Sequence, residues 1–268
     1  MISENKKILI TVKTYPHPSK TYQELVCTAG VTELGDFIRL YPIDYRYRPY
    51  WQWYDKYQWI SVDVVKNEKD VRPESYRPIS DIIIHGEPLP TKNCWAERKK
   101  FVLAQPQPTM CELNALSRKE KSLSIVKPSR VVGVVVEKVE RNWKGEWQLE
   151  LNREWLFGPK KKPLEKIPYK FSYKYYCDSP GCQTHTQMII DWELGSLFLK
   201  MRDKFKDENV AIEKVKNKFY NEICGENKDT YFYVGTTLEH NSWVILGTFY
   251  PPLRDQNDQY KNSLLCHC

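Results

Sequence analysis

Short stretches rich in β-branched and aromatic residues dominate the first half of the chain. Such stretches, bounded by turn-forming residues, predict β-strands. They cover residues 8–12, 24–27, 37–41, 58–65 and 82–84. A longer apolar stretch over 131–139 predicts a buried strand that forms a hairpin with 147–151, and the composition of 95–101 and 110–116 predicts two helices. The first half therefore predicts a small β-sheet or barrel.

In the second half the apolar spacing becomes helical. Residues 169–176 alternate as a strand, whereas 189–205 place apolar side chains at helical intervals and predict one buried stripe. Asp207 is placed to cap a second helix that ends near Gly225. Residues 231–234 and 243–249 predict a closing pair of strands. The pattern as a whole predicts an α+β protein.

A basic loop over residues 158–163 suggests where the chain divides. We expect a mainly β unit over 1–157, a second unit over 164–252 and a polar tail over 253–268. The final strands can instead pair back into the first sheet, which would make one continuous domain.

Composition narrows the classes of function. The 268 residues carry a net charge of +7, which is compatible with a phosphate-bearing partner. No apolar stretch approaches the roughly 18 residues that span a bilayer, and the first residues lack the apolar core of a secretion signal. We therefore expect a cytoplasmic protein without a membrane partner. The sequence contains no phosphate-binding glycine loop, dinucleotide fingerprint, nucleophile-elbow serine or His-Glu-x-x-His helix.

Cysteines supply the most specific chemistry. There are eight, and in a reducing compartment we expect thiols or metal ligands rather than disulfides. Cys27 and Cys111 are interpreted as buried packing thiols. Cys177, Cys182 and His185 surround a Pro-Gly turn, which folds both sulfurs to one side. Over about ten residues this segment looks like a zinc knuckle, with the soft thiolate and imidazole ligands that zinc prefers.

The fourth ligand decides what such a zinc site does. Cys224 and His240 are the protein candidates, with the Cys-His-Cys sequence at residues 266–268 as a further one. Four protein ligands would make the zinc structural, whereas three ligands and a water would allow catalysis. In the catalytic case Asp191 or Glu193 would act on the metal-bound water. The alternative is that these two acids only stabilise a helix N-terminus.

Residues 45–59 contain eight aromatic side chains interleaved with cations. Flat rings and phosphate counter-charges at this density are what single-stranded nucleic acid or a displaced base requires. The candidate nucleic-acid-binding residues are Arg39, Arg46, Arg48, Tyr50, Trp51, Trp53 and Lys56. A core covered by tyrosines, or a protein-recognition surface, would use the same residue types.

These observations favour a nucleic-acid-binding protein, for DNA or RNA, that recognises single strands or a modified base and contains a structural zinc. The alternative is a metal-dependent hydrolase or nuclease that uses a zinc-bound water. A protein-interaction module is the third hypothesis.

Overall fold

In the computed structural model, which describes residues 2–68, 70–151, 162–237 and 242–253, five N-terminal strands close into a barrel. The N-terminal strands are β1 (Ser3–Lys13), β2 (His17–Ser19), β3 (Gln23–Val31), β4 (Phe37–Ile43), β5 (Trp59–Lys66), β6 (Ser75–Pro78) and β7 (Ile83–His85). The ring runs β1-β3-β4-β6-β5 and closes by pairing β5 with β1. The β4–β6 pair is parallel, and the other ring pairs are antiparallel.

Of the two predicted alternatives, a small N-terminal β-sheet or a barrel, this ring shows the barrel. Around it, the five strands follow one another in the order first, second, third, fifth and fourth. This is the connectivity of an OB-fold, a five-stranded Greek-key barrel. The strands predicted at 8–12, 24–27, 37–41, 58–65 and 82–84 are confirmed, with small shifts of their ends, whereas β2 and β6 were not predicted.

Strand β1 explains why its sequence is apolar without a break. Ile8 and Ile10 point into the barrel, while Leu9 and Val12 pack on the opposite face against C-terminal strands. Alternate residues of a strand face opposite sides, so burial of both faces requires continuous hydrophobicity. Gly30 lets β3 approach β1 closely, because a Cβ at this position would lie 2.3 Å from the Leu9 carbonyl oxygen.

The remaining chain builds two small sheets and the helices that cover them. The strands are β8 (Leu123–Val126), β9 (Pro128–Lys138), β10 (Tyr169–Cys177), β11 (His185–Met188), β12 (Tyr231–Thr236) and β13 (Trp243–Phe249). The helices are α1 (Lys92–Val102), α2 (Met110–Ala115), α3 (Gly145–Leu151), α4 (Trp192–Phe205) and α5 (Glu208–Lys216). Short 3-10 turns at Tyr45–Tyr47 and Tyr50–Gln52 and a π-helical turn at Asn217–Glu222 complete the elements.

The two sheets have the orders β11-β10-β9 and β13-β12-β8. Helix α4 buries Leu194 and Phe198 in the core that the sheets share with α5, as its predicted stripe requires. Asp207 accepts hydrogen bonds from the backbone N–H groups of Asn209 and Val210, which confirms the predicted cap of α5. The predicted closing strands are confirmed as β12 and β13. Within the described ranges, no helix is both long and apolar enough to cross a bilayer.

Two predictions were wrong. Residues 147–151 were expected to be a strand but belong to α3, where the backbone N–H groups of Trp147 and Gln148 bond to the Lys144 carbonyl. The two leucines, the glutamate and the glutamine of this stretch are good helix formers, and their helix propensity outweighs the apparent alternation. The strand expected to be buried is β9, but Val132 and Val135 are exposed because one face of the sheet is open to solvent.

Candidate functional site

Four ligand side chains meet where α2 approaches the end of β10. Cys177 ends β10, Cys182 lies in the following turn, His185 begins β11, and Cys111 comes from α2. The four ligand atoms all lie within 4.8 Å of one another. His185 Nε2 is 3.3 Å from the sulfurs of Cys177 and Cys182, which are 3.4 Å apart. Cys111 Sγ is 3.5 Å from Cys177 Sγ and 3.6 Å from His185 Nε2.

Five of the six separations lie close to the edges of a coordination tetrahedron. Metal–sulfur bonds of about 2.3 Å and a metal–nitrogen bond of about 2.0 Å set the edges at about 3.8 Å between sulfurs and about 3.5 Å between sulfur and nitrogen. The Cys3His group can therefore hold a metal ion with little movement. Four protein ligands complete a tetrahedron, as structural sites do, whereas catalytic sites keep one position for water.

Local hydrogen bonds position the ligands. The turn between the two cysteines closes when the Cys182 N–H donates to the Ser179 carbonyl, and Gly181 supplies the left-handed conformation at φ +69°. The Ser179 hydroxyl donates to the hydroxyl of Thr109, the N-cap of α2, at 2.7 Å. The turn thus holds the first turn of α2, and with it Cys111, beside the other ligands.

The cluster already favours one thiolate. Burial opposes ionisation of Cys177, but hydrogen bonds from Cys111, His185 and Cys182 outweigh it and lower its pKa to about 6. Burial and the neighbouring sulfurs raise the pKa of Cys111 to about 11. The Cys177 sulfur is thus the first to ionise, whereas metal binding would displace a proton from Cys111, since cysteine ligands must be deprotonated.

The identity of the fourth ligand differs from two predictions. Cys111, interpreted as a packing thiol, lies in the cluster, while Cys224 lies outside it and directs its sulfur to the Phe219 carbonyl oxygen at 3.4 Å. His240 and the cysteines at 266 and 268 lie outside the described residues. The capping box of Thr109 and Glu112 marks the start of α2 in the sequence, but the approach of this helix to β10 is tertiary and has no local sequence pattern.

The predicted aromatic segment separates into buried and exposed parts. Tyr50, Trp51 and Trp53 are 83%, 72% and 36% exposed, and we call these three residues the aromatic turn. Trp53 stacks on the buried ring of Tyr45, with centroids 5.6 Å apart and planes at 29°. Tyr54 is also buried and packs in the barrel core. The aromatic turn is thus an exposed set of rings on a rigid base.

The predicted nucleic-acid-binding arginines have protein partners. Arg46 pairs with buried Glu24 at 3.0 Å, and Arg48 pairs with Asp44 at 3.0 Å. Arg39 is 1% exposed and its guanidinium donates to side-chain and main-chain oxygens of Ser122. Of the predicted cations, Arg39 is thus internal, and Arg46 and Arg48 are tied to neighbouring acids.

Lys56, Asp191 and Glu193 form one ionic group. Lys56 Nζ lies 3.0 Å from Asp191 and 3.2 Å from Glu193, and Asp191 also accepts from the Glu193 N–H as the N-cap of α4. Burial alone would lower the pKa of Lys56, but the two carboxylates raise it above its ordinary value. Both candidate catalytic acids are therefore occupied with Lys56 and the helix N-terminus. Neither belongs to the Cys3His group found among the described residues.

A small depression lies beside the aromatic turn. It has a volume of about 320 Å³, and its lining includes Tyr22, Arg77 and the Arg48–Asp44 pair. Arg77 is exposed on β6, and Arg48 also donates to Gln52, which lies between Trp51 and Trp53. This surface combines exposed rings with positive charge.

An OB-type barrel joined to two three-stranded sheets and a Cys3His group defines an α+β protein with a candidate metal centre. The chain belongs to the family described as Domain of unknown function (DUF8757), whose model matches residues 106–265. Residues 4–104 match the model described as Domain of unknown function (DUF8758).

Other comparisons add little. A search of curated proteins finds no match. One solved structure, of a murine DNA binding protein bound with ds DNA, aligns with 94% of this chain and 96% of that chain at 9% identity. Its TM-score of 0.30 is too low for a shared fold to follow.

Proposed function

We propose that the protein binds single-stranded nucleic acid through the aromatic turn, and that a structural zinc in the Cys3His group braces its C-terminal half. The exposure of Tyr50 and Trp51 is the observation that supports binding most directly, because burying large rings in the core is the ordinary outcome of folding. Exposed rings give successive bases faces on which to stack.

The surroundings of the aromatic turn support the same proposal. Arg77 is exposed at the neighbouring depression and can meet a phosphate, whereas Arg48 already pairs with Asp44, and the net charge of +7 favours a polyanion. Barrels with OB connectivity bind oligonucleotides and oligosaccharides, although a fold alone does not establish a function.

Zinc is the metal that best suits three thiolates and one imidazole in a tetrahedron. It would link α2 to the β10–β11 hairpin and so fix elements that the chain otherwise joins only through long connections. The metal-dependent hydrolase is not proposed, because four protein ligands leave no coordination position for water and Asp191 is held by Lys56.

Fluorescence anisotropy with labelled single- and double-stranded DNA and RNA tests the binding proposal. We expect binding of single strands that weakens as salt rises, because phosphate contacts release counterions. If no oligonucleotide binds in a salt-sensitive way, the proposal fails, and capture of a protein through the aromatic turn would favour the interaction-module hypothesis. Elemental analysis of freshly purified protein tests the zinc separately, with one zinc per chain as the expected result.

A further inference from the structure

A cleft of about 570 Å³ lies between the barrel and the C-terminal half. Its barrel wall includes Leu25 and Cys27 of β3 and Arg39 and Tyr41 of β4, and the opposite wall comes from β10, α4 and the strands around Thr236. The volume falls within the roughly 300–1,000 Å³ typical of small-ligand sites.

The position of the cleft on the barrel is informative. β3 and β4 are the second and third barrel strands, the face on which OB-folds bind their ligands. In this protein β10 and α4 cover that face, so it is a partly enclosed cleft rather than an open groove. Such a space suits one unit of a polymer, or a free small molecule, better than a continuous strand.

Two buried polar atoms in the wall lack partners. Arg39 Nε and Thr236 Oγ1 have no hydrogen-bond partner in the part of the chain that the structure describes, and both residues line the cleft. Arg39 forms no ion pair with a described carboxylate; its Nη atoms donate to Ser122, Ser75 and the Thr236 carbonyl. Leaving a buried donor unsatisfied is costly, so an acceptor supplied by a ligand would stabilise this wall.

Aromatic rings form other parts of the wall. Tyr15 is fixed by its hydroxyl, which donates to the Glu165 carbonyl at 2.7 Å, and by Gly195, where a Cβ would lie 2.3 Å from the ring. Trp143 donates its indole N–H to the Leu164 carbonyl, also outside the cleft. These contacts fix the positions of the two rings in the wall of the cleft.

The charges around the cleft are unequal. Lys166 lines it, with Nζ 5.7 Å from the Trp143 ring. The acid in the wall, Asp191, is already paired with Lys56 at 3.0 Å. A phosphate beside Lys166 would therefore meet a positive charge, since the carboxylate in the wall is already neutralised.

We infer that the cleft binds one nucleobase with its attached phosphate, the ring against the aromatic wall and a ring acceptor toward Arg39 and Thr236. A pure hydrocarbon would leave both polar atoms unpaired, whereas a base supplies a flat ring and ring acceptors together. The base can come from a nucleotide displaced from a bound strand or from a free nucleotide. The inference rests on the proposed function only in the first case.

Alkylation of Cys27 locates the ligand. The full-length protein is treated with iodoacetamide alone, with each of the four nucleoside monophosphates, and with a single-stranded oligonucleotide, and the modified cysteines are mapped by mass spectrometry. A base in the cleft slows labelling of half-buried Cys27 but not of Cys94, which is outside the cleft. Protection by monophosphates identifies a free nucleotide as the ligand, and protection by the oligonucleotide alone identifies a displaced base.

If Cys27 does not react in the free protein, a pair of matched variants tests whether the ligand binds in the cleft. Thr236→Val removes one unpartnered buried hydroxyl at the cleft, and Ser172→Ala removes another away from it. Both should raise the unfolding temperature, because an unsatisfied hydroxyl is lost. Only Thr236→Val should weaken ligand binding, by about 3- to 10-fold. The ligand tested is the one that protects Cys27. If none protects it, the monophosphate or oligonucleotide that binds most tightly is used.

Trp143→Ala should weaken the same ligand by about 5- to 150-fold through lost stacking. Oligonucleotide binding without Cys27 protection, and with unchanged affinity in Thr236→Val and Trp143→Ala, would overturn the cleft inference and leave the aromatic-turn proposal standing. Monophosphate binding that depends on Thr236, without any oligonucleotide binding, would support the cleft and remove the aromatic-turn proposal. Absence of binding by either ligand overturns both.

Discussion

The sulfur of Cys111 lies 3.5 Å from the sulfur of Cys177, although the two residues are 66 positions apart in the chain. A metal shared by them closes this long loop. It also joins α2 to β10, which otherwise meet through hydrogen bonds and packing alone. Closing a long loop removes conformational freedom from the unfolded chain, so the metal should matter for stability.

We predict that Cys111→Ser loses the metal and lowers the unfolding temperature by several degrees or more. Cys224→Ser is the matched control, because it alters a half-buried thiol outside the cluster and should keep one metal per chain. Elemental analysis and thermal unfolding with and without EDTA measure both effects. Equal metal content in the two variants would show that Cys111 is not a ligand.

Part of the metal cluster could be predicted from the sequence. Cys177, Cys182 and His185 lie close together in sequence around a Pro-Gly turn, which predicts the convergence that the structure has. Cys111 has a local capping box but no local indication of its partner, since its place depends on packing of α2 against a distant hairpin. Local spacing thus predicts a cluster but not its completion.

Replacing Lys56 by methionine should destabilise the protein strongly. Lys56 is 11% exposed and neutralises buried Asp191, and removal of one partner of a buried pair costs about 3–5 kcal/mol. Glu193→Gln is the control: this carboxylate is 58% exposed, so we expect a loss under about 1 kcal/mol. Urea unfolding measures both. Similar losses in the two variants would contradict a buried pair between Lys56 and Asp191.

Asp70 should make the free energy of unfolding depend on pH in the acidic range. Burial opposes its ionisation, but hydrogen bonds from Arg72 and Ser75 prevail and lower its pKa to about 2. The unfolded value is about 3.9, so the contribution, about 2 kcal/mol, is complete above about pH 4 and is lost as pH falls toward 2.

Urea unfolding between pH 2.5 and 6 tests this expectation. Asp70→Asn should reduce the acid-dependent loss of stability in that window, whereas Glu33→Gln, an exposed partner of Lys7, should leave it unchanged. The same pH slope in wild type and Asp70→Asn would count against the assignment.

Trp51→Ala should weaken single-strand binding by about 5- to 150-fold, the loss expected for one stacked base. Tyr220→Ala removes another exposed ring, on the π-helical turn, and should not change affinity. Anisotropy titrations compare the two variants at fixed salt. If they bind alike, the aromatic turn is not the contact surface.

The aromatic segment marks a second limit of prediction. Its sequence shows many rings and cations together but not which of them find partners within the fold. Arg39 and Lys56 were expected at a nucleic-acid surface, and the structure buries one and pairs the other with Asp191. Glu24 and Asp191, the acids that occupy Arg46 and Lys56, come from distant segments, so their effect is not visible locally.

Arg39 links the two regions that the family models match. It belongs to β4, within residues 4–104, and its guanidinium donates to the Ser122 hydroxyl at 2.9 Å and carbonyl at 3.0 Å, within residues 106–265. Severing the backbone between the two family regions would remove the Ser122 and Thr236 acceptors and leave this buried cation with the Ser75 hydroxyl. The pieces should then behave as complementary fragments, each poorly folded in isolation and restored on mixing.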